Sequence, residues 1–111
     1  MRANANPNRV QNIRLVAYVG KNLVVNIPNE DSAREPEDLS STTAFAHIVD
    51  ETETEILDLT PTTASADGLF KIDKAIPGGT TPGWYRWRGG ITDSAGEHDV
   101  RYEGTVHLRT Y

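Results

Sequence analysis

The feature that most restricts the fold is a series of short segments rich in apolar, β-branched and aromatic residues, separated by turn residues such as glycine, proline and aspartate. In the segment from Trp84 to Thr92, the side chains of Tyr85, Trp87 and Ile91 fall on one side of an extended chain. No stretch keeps a 3.6-residue apolar period over the length of an amphipathic helix. The pattern therefore predicts an all-β protein.

Seven such segments are predicted as strands, and turn signals separate them at the spacing typical of a β-sandwich. They cover Ile13–Val19, Asn22–Ile27, Thr43–Val49, Glu55–Leu59, Leu69–Ile72, Trp84–Thr92 and Val100–Leu108. The chain of 111 residues has room for one core. We therefore predict a single Ig-like antiparallel β-sandwich over residues 13–111. The shared period-2 register of the last two strands predicts one common core containing Tyr85, Trp87, Ile91, Tyr102, Val106 and Leu108.

Charge divides the first half of the chain. Residues 1–29 carry four basic residues and no acid, whereas residues 30–58 carry ten acids and one arginine, which gives formal charges of +4 and −9. The first twelve residues are polar and rich in asparagine, so they cannot form a core by themselves. We predict that residues 1–12 form an extended arm, either a floppy terminus or an anchor on an acidic surface. The arm residues predicted to contact a partner are Arg2, Asn4, Asn6, Asn8 and Arg9.

Several local patterns occur in an order that resembles one phage family. They are Gly20-x-x-Leu23, Asp38-Leu39-Ser40-x-x-x-Ala44-x-x-x-Ile48-x-Asp50, Gly68-Leu69-x-x-Ile72, Gly83-x-Tyr85-x-Trp87-x-x-x-Ile91-x-Asp93-x-x-Gly96 and Tyr102-Glu103-Gly104-x-Val106-x-Leu108. Over residues 18–109 the chain resembles the N-terminal domain of phage baseplate upper proteins and related small Ig-like phage modules. It departs from them in its acidic loop 29–38, in the small pair Ala44 and Ala46, and in Gly89-Gly90.

This resemblance implies a structural part of a virion that is not an enzyme. The expected location is the phage particle, assembled in the host cytoplasm, with the tail or baseplate first and a capsid decoration (cement) protein as the alternative. The expected partners are copies of the chain itself and a tail or capsid subunit. The net charge of −5 argues against nucleic acid as a partner. No apolar run approaches the roughly 20 residues that span a bilayer, so no membrane contact is expected.

The residue content gives little support to catalysis or cofactor binding. The chain lacks cysteine, which excludes thiolate chemistry and disulfides. No nucleophile elbow or phosphate-binding loop occurs. We expect none of His47, His98 and His107 to be a catalytic base or a metal ligand, and we expect no cofactor. Two loops hold enough oxygen atoms to consider a cation, namely 29–38 and 93–99, but both also fit ordinary polar loops.

Trp84, Arg86 and Arg88 form the remaining candidate site. If Tyr85 and Trp87 face the core, these three side chains face outward on the same strand. Tryptophan and arginine are enriched at the energetic centres of protein interfaces. An exposed ring beside cations also suits sugar stacking, so a carbohydrate-binding module using Trp84 is a further alternative. The third possibility is that Trp84 covers a sheet edge while the arginines offset nearby acids.

Overall fold

The structure, a computed structural model, describes residues 10–30, 33–64 and 68–111. These residues form nine strands and no helix. The strands are β1 (Gln11–Asn12), β2 (Leu15–Tyr18), β3 (Asn22–Pro28), β4 (Thr43–Val49), β5 (Glu55–Asp58), β6 (Thr62–Ala64), β7 (Leu69–Ala75), β8 (Gly83–Thr92) and β9 (His98–Arg109). The prediction of an all-β chain is confirmed. The described part of the chain contains no helical segment whose length and hydrophobicity would let it cross a membrane.

The strands form two sheets. Sheet A has the order β1-β9-β8-β4-β5, with β2 also paired to β9, and sheet B has the order β3-β7-β6. All pairs are antiparallel except those that β1 and β2 make with β9, which are parallel. Each of the seven predicted segments overlaps an observed strand, whereas β1 and β6 were not predicted.

The core lies between the two sheets. Phe70 of sheet B packs on Tyr102 of sheet A with ring centroids 4.7 Å apart, and both side chains are fully buried. The predicted common core is confirmed for Trp87, Ile91, Tyr102, Val106 and Leu108, while Tyr85 is only partly buried against it. The other buried residues of this core cluster are Leu15, Ala17, Leu23, Ile27, Leu39, Ala46, Ile48, Leu59, Ile72 and Ile76.

A β-bulge interrupts the period-2 register that was predicted for Val100–Leu108 in β9. Gly89 lies opposite Tyr102 but Gly90 lies opposite Val100, so Arg101 has no partner residue in β8. Strict alternation therefore breaks at Arg101, and Val100 does not share the core-facing register of Tyr102. Sequence periodicity cannot detect such an inserted residue.

The boundary of the predicted arm also needs correction. Residues 1–9 lie outside the described residues, but Gln11 and Asn12 form β1 and pair with Tyr102 and Glu103 of β9. The amide of Ile13 continues this contact by donating to the carbonyl of Glu103 at 2.8 Å. The last residues assigned to the arm therefore belong to sheet A of their own domain.

Candidate functional site

The outward side chains of β8 and β9 form the best-defined exposed surface of sheet A. Trp84 stacks on its cross-strand partner His107, with ring centroids 4.0 Å apart and planes inclined by 8°. The Trp84 side chain nevertheless remains 63% exposed. At Trp84 the strand β8 is paired with β9, whereas its pairing with β4 ends at Arg86.

Arg86 and Arg88 project from the same face of β8 as Trp84. An Arg88 amino group lies 3.1 Å from a carboxylate oxygen of Glu53, and the nearest Arg86 nitrogen lies 3.9 Å from the other oxygen. The side chains of Arg86, Arg88 and Glu53 are 60%, 39% and 50% exposed. Such exposed ion pairs contribute only about 0–1 kcal/mol to stability, so both guanidinium groups can exchange Glu53 for an incoming acid at little cost.

A small cavity of about 170 Å³ lies next to these arginines. Arg86, Arg88, Asn12 and Glu103 contribute to its lining, so the cavity joins β1 to the outward face of β8 and β9. Pockets that hold a cofactor or a drug-sized substrate usually enclose about 300–1,000 Å³. This cavity suits a single side chain of a partner better than a substrate.

We call the surface formed by Trp84, Arg86, Arg88 and His107 the Trp84 face. It brings together the three strand residues that the sequence indicated and adds His107, which the sequence did not indicate. His107 stacks on Trp84 because the pairing of β8 with β9 places the two residues opposite each other. Identifying it from the sequence would have required this cross-strand register. The predicted arm contacts Arg2, Asn4, Asn6, Asn8 and Arg9 fall outside the described residues.

Each of the three histidines contacts a different kind of side chain. His98 is within 2.7 Å of the Thr92 hydroxyl, and its ring packs edge-on against Phe45 with centroids 5.1 Å apart. His107 stacks under Trp84. His47 lies on the outward face of β4, with its Nδ1 atom 2.8 Å from a Glu55 carboxylate oxygen.

A polar cluster that the sequence did not indicate fastens the acidic loop to sheet A. The bulged Arg101 donates two hydrogen bonds to Glu37, at 2.6 and 2.9 Å, and one to Asp99 at 2.9 Å. Burial alone would lower the pKa of Arg101, but the hydrogen bonds and charges of Glu37 and Asp99 outweigh it and raise the pKa above its usual range. Both carboxylate oxygens of Glu37 therefore bind Arg101 and attach the acidic loop to β9.

A second contact of the same loop is buried. The Tyr102 hydroxyl donates to Oδ1 of Asn29 at 2.6 Å, and the Asn29 side-chain amide donates to the carbonyl of Gly68 at 3.1 Å. Burial raises the pKa of Tyr102. These bonds satisfy both polar atoms of the Asn29 side chain, which explains why an asparagine at the start of a polar loop is buried.

The two loops considered for a cation use carboxylates for internal contacts. Besides Glu37, Asp38 accepts a hydrogen bond from the Ser40 amide at 2.9 Å. In the loop at residues 93–99, Asp93 accepts hydrogen bonds from the amides of Ala95 and Glu97. These contacts are those of ordinary polar turns.

Comparison with known proteins identifies the fold but no family. No family model and no curated protein matches the chain. Among solved structures, the crystal structure of the Lin-41 filamin domain matches with a TM-score of 0.51 and 16% identity. The match covers 85% of this chain and 82% of that one. At this identity the likeness shows the fold alone, which is an Ig-like β-sandwich.

Proposed function

We propose that this protein is a non-enzymatic structural module that docks onto a larger protein assembly through its Trp84 face and its N-terminal arm. The resemblance to phage baseplate modules suggests that the assembly is a bacteriophage particle, with the tail or baseplate as the first location. Capsid decoration is the alternative within the same class. The proposed partners are copies of the chain and a tail or capsid subunit.

The observation that carries the docking proposal is the exposure of Trp84. A tryptophan that is 63% exposed leaves a large apolar surface in water, and burying it is favourable by roughly 25 cal/mol for each Å². Arg86 and Arg88 lie beside it and supply charged hydrogen-bond donors. An aromatic anchor surrounded by arginines has the composition of an interface hot spot.

The charge division of the sequence supports a role for the arm. Residues 1–29 are formally +4, with Arg2 and Arg9 in the arm, and residues 30–58 are −9, so the arm of one copy complements the acidic segment of another. Charge would mainly steer the arm, because exposed ion pairs hold weakly. Backbone hydrogen bonds to an open sheet edge would provide the attachment itself.

The test compares incorporation of three variants into particles, measured as copies per particle by quantitative mass spectrometry. Trp84→Ala and a deletion of residues 1–9 should each lower incorporation at least about tenfold. The deletion spares β1, so it should leave the thermal midpoint of the isolated domain nearly unchanged. The matched control is Val24→Ala, which removes an exposed apolar side chain, 61% exposed, from the opposite sheet.

Normal incorporation of both Trp84→Ala and the deletion variant would refute docking through these elements. Incorporation into tailless heads, rather than into purified tails, would favour the capsid alternative. The carbohydrate-binding alternative makes a different prediction, namely Trp84-dependent binding on a glycan array. His107 covers one face of the indole, so only the other face is open to a sugar ring.

A further inference from the structure

Three side chains with metal-ligating atoms meet on the outward side of sheet A, where β4 pairs with β5. They are His47, Glu55 and Asp58, and their ligand atoms all lie within 4.8 Å of one another. His47 and Asp58 are direct cross-strand partners, so their side chains emerge side by side. A register shift after Ile48 places Glu55 opposite Val49, on the same outward face as His47.

The Nδ1 atom of His47 lies close to Glu55 but forms no hydrogen bond with it. Nδ1 lies 2.8 Å from the Glu55 carboxylate oxygen, yet the two groups are not aligned as a hydrogen bond. The atom is buried and has no hydrogen-bond partner among the described residues. In the tautomer that carries its proton on Nε2, Nδ1 has a lone pair that it can donate to a cation.

We propose that His47, Glu55 and Asp58 form a Zn²⁺-binding site. Zn²⁺ takes histidine nitrogen and carboxylate oxygen at about 2.0–2.2 Å, which places neighbouring ligand atoms of a tetrahedral site roughly 3.3 Å apart. The separation of 2.8 Å between His47 Nδ1 and the Glu55 oxygen is shorter than that value, and no pair of ligand atoms in the cluster is more than 4.8 Å apart. Glu55 and Asp58 are exposed, so small side-chain rotations bring their oxygens to the required distance.

The donor set also selects the ion. One imidazole with two carboxylates suits Zn²⁺ better than Ca²⁺ or Mg²⁺, which prefer oxygen ligands alone. Two carboxylates balance the charge of the ion. Arg88 is the partner of His47 on the β8 side, but its charge is offset by Glu53 at 3.1 Å. Three protein ligands leave a fourth position for water.

The proposed site differs from the expectation that no histidine is a metal ligand. That expectation rested on the absence of a ligand motif along the chain. The three residues are brought together by strand register and by a bulge, neither of which is visible in their spacing. The site adjoins the Trp84 face, because Arg88 lies opposite His47, but none of the three ligands belongs to that face. Its test therefore does not depend on the docking proposal.

The test is isothermal titration of Zn²⁺ into tag-free full-length protein that has first been treated with a chelator and dialysed. One equivalent should bind. His47→Ala, Glu55→Gln and Asp58→Asn should each weaken binding at least about tenfold, because even loss of an outer-sphere partner costs about 10–100-fold. The matched controls His98→Gln and Glu51→Gln change the same residue types elsewhere and should bind as the parent does.

A second measurement guards against a variant that does not fold. Zn²⁺ should raise the thermal midpoint of the parent and of both controls, and this rise should be lost in Asp58→Asn. Far-ultraviolet circular dichroism without metal should be the same for all variants. Absence of saturable binding by the parent would overturn the proposal. Equal weakening by His98→Gln, or unchanged affinity in the three ligand variants, would do so as well.

Discussion

The two tryptophans of β8 provide a sharp test of how the sandwich is stabilised. Trp87 is 1% exposed in the core, and Trp84, three residues earlier on the same strand, is 63% exposed. The Trp87 indole also donates a hydrogen bond of 2.8 Å to the carbonyl of Ile13, which links the core to the chain between β1 and β2. Replacing each tryptophan by alanine removes the same side chain from a buried and from an exposed position, so the difference in stability between the two variants measures the effect of burial.

Trp87→Ala should lower the free energy of unfolding by about 3–5 kcal/mol through loss of apolar burial and formation of a cavity. Trp87→Phe keeps a ring but removes the N–H donor, which should cost about 1–3 kcal/mol at the Ile13 carbonyl. Trp84→Ala should change the free energy of unfolding by about 0.5 kcal/mol or less. A domain of this size has roughly 5–15 kcal/mol in total, so the first change is large.

The assay is urea unfolding followed by far-ultraviolet circular dichroism, because removing a tryptophan alters fluorescence directly. For a slope near 2 kcal/mol/M, the midpoint of Trp87→Ala should fall by about 1.5–2.5 M. The slope itself should not change. A Trp87→Ala midpoint equal to that of Trp84→Ala would refute the assignment of Trp87 to the core.

Three further changes have expected outcomes. Glu37→Gln should lower the free energy of unfolding by about 1–3 kcal/mol, because it weakens a largely buried pair with Arg101, whereas Glu53→Gln should cost under about 1 kcal/mol by the same urea assay. Gly104→Ala should lower the thermal midpoint markedly, since its Cβ would lie 2.1 Å from the Ile13 carbonyl oxygen, while Gly78→Ala meets no atom within 4 Å and should not. Stability should decline as pH rises above about 10, since the raised pKa of Tyr102 keeps its proton bound in the folded state after the unfolded state has lost it; a pH titration of the urea midpoint checks this.

Much of the fold could be predicted because alternation and turn residues are local signals. The bounds of β4 were predicted as observed, Thr43–Val49, and the outward position of Trp84, Arg86 and Arg88 followed from the inward position of Trp87. β6 was missed because three small residues after a proline carry no apolar alternation. β1 was missed because Gln11 and Asn12 join the sheet through their backbone.

The polar contacts could not be predicted because they depend on residues far apart in the chain. Arg101 and Glu37 are separated by 64 positions, and their meeting requires both the bulge in β9 and the course of the acidic loop. The His47 cluster likewise depends on an irregular register between β4 and β5. Hydrophobic periodicity determines which face of a strand is buried, but it does not determine which polar side chains meet.

The parallel pairing of β2 with β9 affects the order of events during synthesis. Leu15 pairs with Val106, so the sheet neighbour of β2 is made about 90 residues later. At 5–20 residues per second, the ribosome needs roughly 5–20 s to produce it. During that interval Leu15 and Ala17, both buried in the finished sandwich, have no β9 to pack beside. The basic, acid-free stretch of residues 1–29 surrounds this strand, and its like charges oppose association between nascent chains while β2 waits for its partner.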